Sequence, residues 1–600
     1  MSLPDATAQQ SEQPQEDAGT AQHEELPDEY APQSRLRIRP SLQGVLAVAL
    51  YAAVWLPTVV RPLVSHLGRA QLVQFSPDPN FYVWSLGWWP YALGHGQDPL
   101  YSNLILAPAG HSLAWVATVP PLALLTAPLS LTAGPVAAFN LLTALALPLS
   151  AWAAFVACRR LTGRFWPALV GGAVYGFSVY ELGPLGSGQL NLCVAVLPPL
   201  LAYLVLAWRD GSIGWISFVI LAGLVLAAQY YLFLETFADL TVILAVSVVL
   251  GLLLARRGSR RRLAQLAGLL ALAYGVALAL AAPDLAVVLA TPRPKPPSMG
   301  ALDLASLVLP RPGHSLGIAG LAHADVGIPL LIVLVALAAT RWRSRLVWFL
   351  AALFAVVTIA ALGPVLRVDG SEVAVLPWHG LWGLPFVRSA YPRRLMLFDY
   401  LVLALAAALL LAGEPWRRHP GRWRAVLSVA ARCALGALVL AFLVPNASEP
   451  LTVTGQTTVP VFISNGEYRS QLTRGEVVIV VSEVRNAGML WQAQSGFYWR
   501  LAGGFINAGF EHRSDLPPLA EQLQWANPGR INQFEYLVRA DHIGAILVDA
   551  GHPPDWAGVF GIFGLTGHRD GGVIVYPTSD CRSCRAVSWK EIVAAHVRPS

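Results

Sequence analysis

Long apolar blocks alternate along this chain with short polar connections rich in arginine. The blocks fall at about 42–60, 136–157, 165–180, 192–207, 213–233, 240–255, 266–282, 326–340, 346–362, 395–412 and 425–444. A helix of about twenty apolar residues crosses a hydrocarbon core of roughly 30 Å. The pattern therefore predicts an α-helical polytopic membrane protein with about 11 transmembrane helices. One further apolar run, 113–131 (LAWVATVPPLALLTAPLSL), is also long enough to cross, but it contains Pro120, Pro121 and Pro128. Proline removes a helix hydrogen bond and clashes with the preceding turn. A crossing here would also move every later arginine cluster to the other side. The run is read as re-entrant or interface-lying, buried against protein where broken backbone is tolerated.

The connections set the orientation. Arg35, Arg37 and Arg39 precede the first block, Arg159, Arg160 and Arg164 follow the second, and Arg209 follows the fourth. RRGSRRR (256–262) follows the sixth, RWRSR (341–345) the eighth and RRHPGRWR (417–424) the tenth. All of these fall on one side, which the positive-inside tendency makes cytoplasmic. The amino terminus is then cytoplasmic and the carboxy-terminal region extracytoplasmic, in a multi-pass protein of the cell membrane.

Composition agrees with that class. Hydrophobic residues make up 55% of the 600 and charged residues only 13%, where soluble proteins carry about a quarter. The net charge of +6 sits mainly on arginines of short loops, a topological signature and not a nucleic-acid footprint. Residues 1–34 differ: acidic, rich in Gln, Pro and Ala, and without apolar period, they read as a disordered cytoplasmic tail. The basic-then-apolar order of a signal peptide is missing, so the first block is expected to stay as an anchor.

Residues 35–444 form the membrane domain, with long outer loops at 61–134, 291–327 and 367–394. The first holds SPDPNFYVWSLGWWPY (76–91), an acid between two prolines followed by a belt of aromatics. Asp is a good N-cap and Pro79 suits a first helical turn, so a helix lying at headgroup level, where such rings are favoured, is expected here. A cap is the plain structural role of Asp78. Shorter outer turns carry YELGPLGSGQLN (180–191) and QYYLFLETFAD (229–239), the latter with Glu235 and Asp239 at a membrane boundary. The late loops break the positive-inside bias with Arg388, Arg393 and Arg394. Such arginines snorkel to lipid headgroups or clamp a phosphate.

Residues 445–600 read as an extracytoplasmic α/β domain. GEVVIVVS (475–482), HIGAILVDAG (542–551) and GGVIVYPT (571–578) have the form of buried strands, and LPPLAEQLQWA (516–526) and NQFEYLVRAD (532–541) of helices between them. MLWQAQSGFYWRLAGG (489–504) is aromatic enough to stack on sugar rings, although such stretches are more often core. No P-loop, dinucleotide fingerprint or nucleophile motif occurs in it. CRSC (581–584) is compatible with a small disulfide or with free thiols. Cys158, Cys193 and Cys433 lie in or at the end of apolar blocks, as small apolar fillers.

The order of parts resembles the GT-C superfamily of polytopic membrane glycosyltransferases, in its bacterial form with an outer carboxy-terminal domain. The resemblance covers about 42–412. It rests on SPDPNFYVWSLGWWPYAL, CRRLTGRFWPALVGGAVYGFSVYELGPLGSGQLNL, ALDLASLVLPRP, ALGPVLRVDG and LPFVRSAYPRRLMLF. It implies a sugar donor linked to a polyprenyl phosphate, used on the outer face of the bilayer with a glycan, lipid or protein acceptor and no nucleic acid. It places Asp78 at the family's catalytic loop acid, as general base of an inverting transfer. Arg388 and Arg394 fall where the donor phosphate is held, and Glu235 is a candidate for touching sugar hydroxyls. Many members pair two acids in this loop; here Asp78 is followed by Pro79 and Asn80, and Asp98 is the next acid. No other His, Cys and Asp cluster has metal-ligand spacing, so neither a metal nor another cofactor is expected. The alternative is a non-catalytic relative that binds lipid-linked glycans as a scaffold in envelope polysaccharide assembly. A transporter would show midplane charges or an inverted repeat, and neither is visible.

Overall fold

The computed structural model describes residues 40–66, 68, 71, 78–291, 300–308, 325–381, 391–413, 422–443, 459–482, 484, 486–504, 538, 542–551, 560–561 and 564–580. The tail 1–34, the helices expected at 516–526 and 532–541, Arg388 and the CRSC segment lie outside the described residues.

Each apolar block lies in a helix. In chain order these are α1 (Pro40–His66), α2 (Asp78–Gly94), α3 (Pro120–Leu125), α4 (Ala127–Ala133), α5 (Pro135–Thr162), α6 (Phe165–Gly176), α7 (Val179–Gly186), α8 (Leu190–Cys193), α9 (Leu197–Arg209), α10 (Trp215–Leu232), α11 (Leu234–Leu254) and α12 (Arg257–Ala290). They continue as α13 (Ile328–Thr340), α14 (Arg345–Ala361), α15 (Trp378–Leu381), α16 (Met396–Ala412) and α17 (Arg422–Leu443). Among the described residues, 7 helical segments are long and apolar enough to cross a membrane, and α13, α14 and part of α17 are shorter apolar helices. The chain is a multi-pass membrane protein.

The proline-bearing run does not form one long helix. It holds only α3 and α4, of 6 and 7 residues, broken at Thr126. Together they rise about 20 Å, short of a hydrocarbon core of roughly 30 Å.

Helix α16 is the hub: 83% of its apolar window is buried, against 17% for α11 and 22% for α12, which turn most of their apolar surface outward. Small residues let backbones approach at the hub, as in other membrane bundles. A Cβ on Gly171 of α6 would lie 2.7 Å from the Ala404 carbonyl oxygen of α16, and one on Gly176 would strike the Ala151 backbone of α5.

The arginine-rich connections meet at one end of this bundle. Arg159 donates to Gln43 Oε1 at 2.8 Å, Arg160 pairs with Asp210 at 2.5 Å, Arg164 donates to the Ala412 carbonyl, and Arg345 donates to the Leu254 carbonyl at 2.6 Å. These bonds join the end of α5 to the start of α1 and to the end of α9, the turn after α5 to the end of α16, and the start of α14 to the end of α11.

At the other end, where α5 begins, sits a five-stranded sheet. Two small hairpins precede it, β1 (Tyr101–Ser102) with β2 (His111–Ser112), and β3 (Val365–Val368) with β4 (Ser371–Val375). The sheet contains β5 (Val477–Val481), β6 (Arg500–Leu501), β7 (Ile543–Asp549), β8 (His568–Asp570) and β9 (Val573–Pro577), in the order β6-β5-β7-β9-β8. β5 is parallel to β6 and β7, while β9 is antiparallel to β7 and β8. Short helices α18 (Val461–Ser464), α19 (Tyr468–Gln471) and α20 (Ala487–Gln494) flank it.

Both faces of β5 are buried, which explains its unbroken apolar run. Val477, Ile479 and Val481 join Ile546 and Val548 in a small separate core. Val478 and Val480 join the main core that continues into the helical bundle.

Helix α2 differs from the headgroup-level helix expected from its sequence. Phe81, Tyr82, Trp84, Trp88 and Trp89 are all buried in protein. Trp84 and Trp88 stack at 5.3 Å, and Phe497 of the carboxy-terminal region meets both rings at 6.0 Å. Gly87 leaves the space that Phe497 needs, since a Cβ there would lie 3.2 Å from the phenyl ring. The aromatic belt is a joint to the carboxy-terminal domain, whose Phe497 and Gln492 cover rings that would otherwise face lipid or water.

Candidate active site

Asp78 opens α2 and is half-buried. Its Oδ2 accepts a hydrogen bond from Gln189 Nε2 at 2.6 Å. Gln189 stands between α7 and α8, where Gly188 at φ 65° reverses the chain, a conformation that glycine adopts without cost. One helical turn after Asp78, the Tyr82 hydroxyl donates to Asn191 Oδ1 at 2.5 Å. Residues four apart share a helix face, so α2 docks Asp78 and Tyr82 on the same turn, 187–191. Burial pushes the Tyr82 phenol well above its usual range, and the Asp78 charge pushes the same way. Tyr82 is therefore held as a neutral donor.

The late loop supplies the positive charge. Arg394, in the 3₁₀ turn Pro392–Leu395 that leads into α16, forms an ion pair with Glu235 near the start of α11. The other carboxylate oxygen of Glu235 accepts the Tyr391 backbone N–H at 2.8 Å. The guanidinium lies over the Tyr391 ring at 4.8 Å and the Phe233 ring at 5.1 Å. Asp239, one turn further along α11, is buried and lies within electrostatic reach of both Glu235 and Arg394. Tyr82 feels Asp78 and Arg394 alike, and Tyr180 feels Arg394, Glu235 and Asp239. The acid of the first long loop and the arginine of the late loop thus converge on α2.

Arg393 faces elsewhere, forming an ion pair with Asp325. Asp325 also accepts from the Ser306 hydroxyl at 2.5 Å, so this pair ties three loop segments together. Arg388 lies outside the described residues. Glu235, read from sequence as a candidate for touching sugar hydroxyls, has both oxygens engaged by Arg394 and Tyr391.

Asp98, the next acid of the loop, turns back on its own backbone and accepts the Leu100 N–H at 2.9 Å. Among the described residues no group of three or more His, Cys, Asp or Glu is arranged to hold a metal.

A crevice of about 60 Å³ lies beside the ion pair, lined by Trp115, Tyr230, Tyr231, Phe233, Asp284 and Val288 among others. Phe233 is shared between this crevice and the Arg394 site. Glu181 of α7 is fully buried, and neither of its carboxylate oxygens has a hydrogen-bond partner among the described residues. Burial pushes its carboxyl well above the usual range.

Tyr82, Gln189 and Asn191 were not singled out from sequence. The available signal was weak: the four-residue spacing of Asp78 and Tyr82, and two amides in a glycine-rich turn.

No family model and no curated protein matches the chain. Solved structures do. The arabinofuranosyltransferase AftD from Mycobacteria aligns over 91% of this chain at 13% identity, with a TM-score of 0.53. The chain spans only 40% of the length of AftD. The oligosaccharyltransferase of Archaeoglobus fulgidus aligns over 90% of this chain and 74% of its own, at 12% identity and a TM-score of 0.50. ArnT from Cupriavidus metallidurans aligns over 91% of this chain and 99% of its own, at 12% identity and a TM-score of 0.47. Over about nine-tenths of its length this chain therefore shares the fold of the arabinofuranosyltransferase AftD and of the Archaeoglobus fulgidus oligosaccharyltransferase.

Proposed function

We propose that the chain is a membrane glycosyltransferase. It transfers a sugar from a polyprenyl-phosphate donor to the hydroxyl of a glycan, lipid or protein acceptor on the outer face of the membrane. The observation that carries this reading is that Tyr82, one turn after Asp78 on α2, lies within electrostatic reach of both the Asp78 carboxylate and the Arg394 guanidinium.

In this reading Asp78 takes the proton of the acceptor hydroxyl as its oxygen attacks the anomeric carbon. The bond between that carbon and the phosphate oxygen breaks, its electron pair leaves with the lipid phosphate, and configuration inverts. Arg394, with Arg388, offsets the phosphate charge. Gln189 fixes the direction of the base through its 2.6 Å bond. Glu235 serves as the counter-ion of Arg394.

The test is reconstitution of the purified protein in liposomes with synthetic polyprenyl-phosphate pentoses and hexoses. Donor consumption that disappears in Asp78→Asn supports the reading. A protein that binds these lipids but consumes none of them is the scaffold instead.

A further inference from the structure

We infer that Glu235 is a resident stand-in for the donor phosphate, which the incoming lipid must displace from Arg394. The inference rests on the reading of Arg394 as phosphate ligand.

Two donors of different origin converge on the Glu235 carboxylate: the Arg394 guanidinium on one oxygen and the Tyr391 backbone N–H on the other, at 2.8 Å. A guanidinium beside a main-chain N–H is a donor set for an oxyanion in general, and phosphate oxygens accept it as a carboxylate does. The set is fixed in place. Tyr391 lies flat on Gly300, where any Cβ would collide with its ring, and Arg393 N–H donates to the Gly300 carbonyl at 3.1 Å. The rings of Tyr391 and Phe233 pack on the guanidinium and restrict water around it.

Asp239, buried one turn further along α11, lies within electrostatic reach of both Glu235 and Arg394. The same Phe233 ring also walls the crevice formed with Tyr230, Tyr231 and Val288. An anion site that shares a wall with a mostly apolar crevice, whose lining also includes Asp284, suits an amphiphile with a phosphate head and a hydrocarbon tail. Free phosphate has no tail to add to the competition. Glu235 therefore acts as a filter that excludes small anions and yields to lipid phosphates.

The experiment measures binding of farnesyl phosphate and of inorganic phosphate to the full-length protein in detergent. Glu235→Gln should bind farnesyl phosphate about tenfold more tightly than the parent, since the occupied fraction of the site is released. Inorganic phosphate, without measurable affinity for the parent, should bind this variant. Glu235→Asp, with the charge kept and the reach shortened, should fall between the two. Farnesyl phosphate binding that is unchanged or weaker in Glu235→Gln overturns the inference. So does failure of both variants to give a cooperative thermal transition, because Glu235 would then be a structural counter-ion. Arg394→Ala separates the two levels. If it binds farnesyl phosphate as the parent does, the phosphate reading of Arg394 itself falls. If it loses binding while Glu235→Gln shows no gain, only the stand-in role falls.

Discussion

Trp84 of α2 donates its indole N–H to Gln492 Oε1 of α20 at 2.8 Å, and both side chains are fully buried. The Gln492 amide nitrogen donates in turn to the Leu104 carbonyl at 2.7 Å and the Trp499 carbonyl at 2.9 Å. One glutamine thus closes one hydrogen bond to the helix that begins at Asp78, one to the loop that follows it and one within the carboxy-terminal domain. Gln492→Leu keeps similar bulk but strands the Trp84 indole and the Trp499 carbonyl, each costing about 1–3 kcal/mol when buried, while the Leu104 carbonyl keeps the Leu501 N–H. The variant should unfold at a clearly lower temperature in a detergent-based thermal scan. An unchanged midpoint would mean that this joint contributes little.

Asp78→Asn keeps an oxygen to accept from Gln189 and keeps N-cap capacity, yet it offers no base at neutral pH. Sugar transfer should drop by about 10²-fold or more with the thermal midpoint within a degree or two of the parent. Transfer at the parent rate would remove Asp78 from the chemistry and favour the scaffold.

Arg394→Ala removes a charge-assisted donor from the proposed phosphate. Donor binding should weaken by on the order of 1.5–3 kcal/mol, read by titration with a polyprenyl-phosphate sugar. Arg394→Lys should recover part of this, because a point charge replaces a planar fork. Arg388→Ala is expected to weaken donor binding in the same direction. Parent-like titrations in both alanine variants would leave lipid-headgroup anchoring as the better account.

Glu181 sets a pH dependence with a definite sign. Its folded carboxyl is raised by burial, while in the unfolded chain it ionises near pH 4.3. Its contribution to stability is complete below that value and is lost as pH rises towards the folded one. Glu181→Gln cannot ionise. Midpoints of parent and variant should show a constant offset below about pH 4.3 and shift in favour of the variant as pH increases. Parallel midpoint curves from pH 4 to pH 8 would contradict this.

Topology is open to direct measurement. The arginine-rich connections share one end of the bundle, joined by bonds such as Arg160 to Asp210 and Arg345 to the Leu254 carbonyl. A reporter fused after position 444 should be active outside the cytoplasm, and one within 256–262 inside it. Activity of both on the same side would reject the eleven-crossing arrangement.

The apolar blocks were legible because crossing a bilayer is a local property of about twenty consecutive residues. Pro120 and Pro128 were equally local in their effect, and the broken pair α3 and α4 follows from them. The three apolar runs of the carboxy-terminal region announced β5, β7 and β9 for the same reason. The fate of the aromatic belt was not legible. Trp84 and Gln492 are 408 residues apart, and nothing in the periodicity of α2 separates a ring that faces lipid from one that faces Phe497. Arg394 and Glu235 were each noticed as polar groups at a membrane boundary. That they hold one another depends on how the turn at Phe233 and the 3₁₀ turn before α16 approach in space. Gln189 carried no motif at all; a lone amide in a glycine-rich turn acquires meaning only when Asp78 is opposite.

The loop that follows Asp78 also lends backbone to the distant sheet. Leu501 N–H donates to the Leu104 carbonyl at 2.7 Å, Ala107 N–H to the Leu501 carbonyl at 3.0 Å, and Leu106 N–H to the Gly503 carbonyl at 3.0 Å. These bonds extend the β6 edge with residues made far earlier in synthesis. The Leu104 to Gln492 bond alone bridges 388 positions, which at 5–20 residues per second is a wait of about 20–80 s on the ribosome. Throughout that interval the membrane helices can insert one after another while the segment beyond Asp78 lacks its final partner. The segment beyond Asp78 therefore reaches its final packing only after the last quarter of the chain has been made, so a chain that ends early keeps its membrane helices but leaves this joint open.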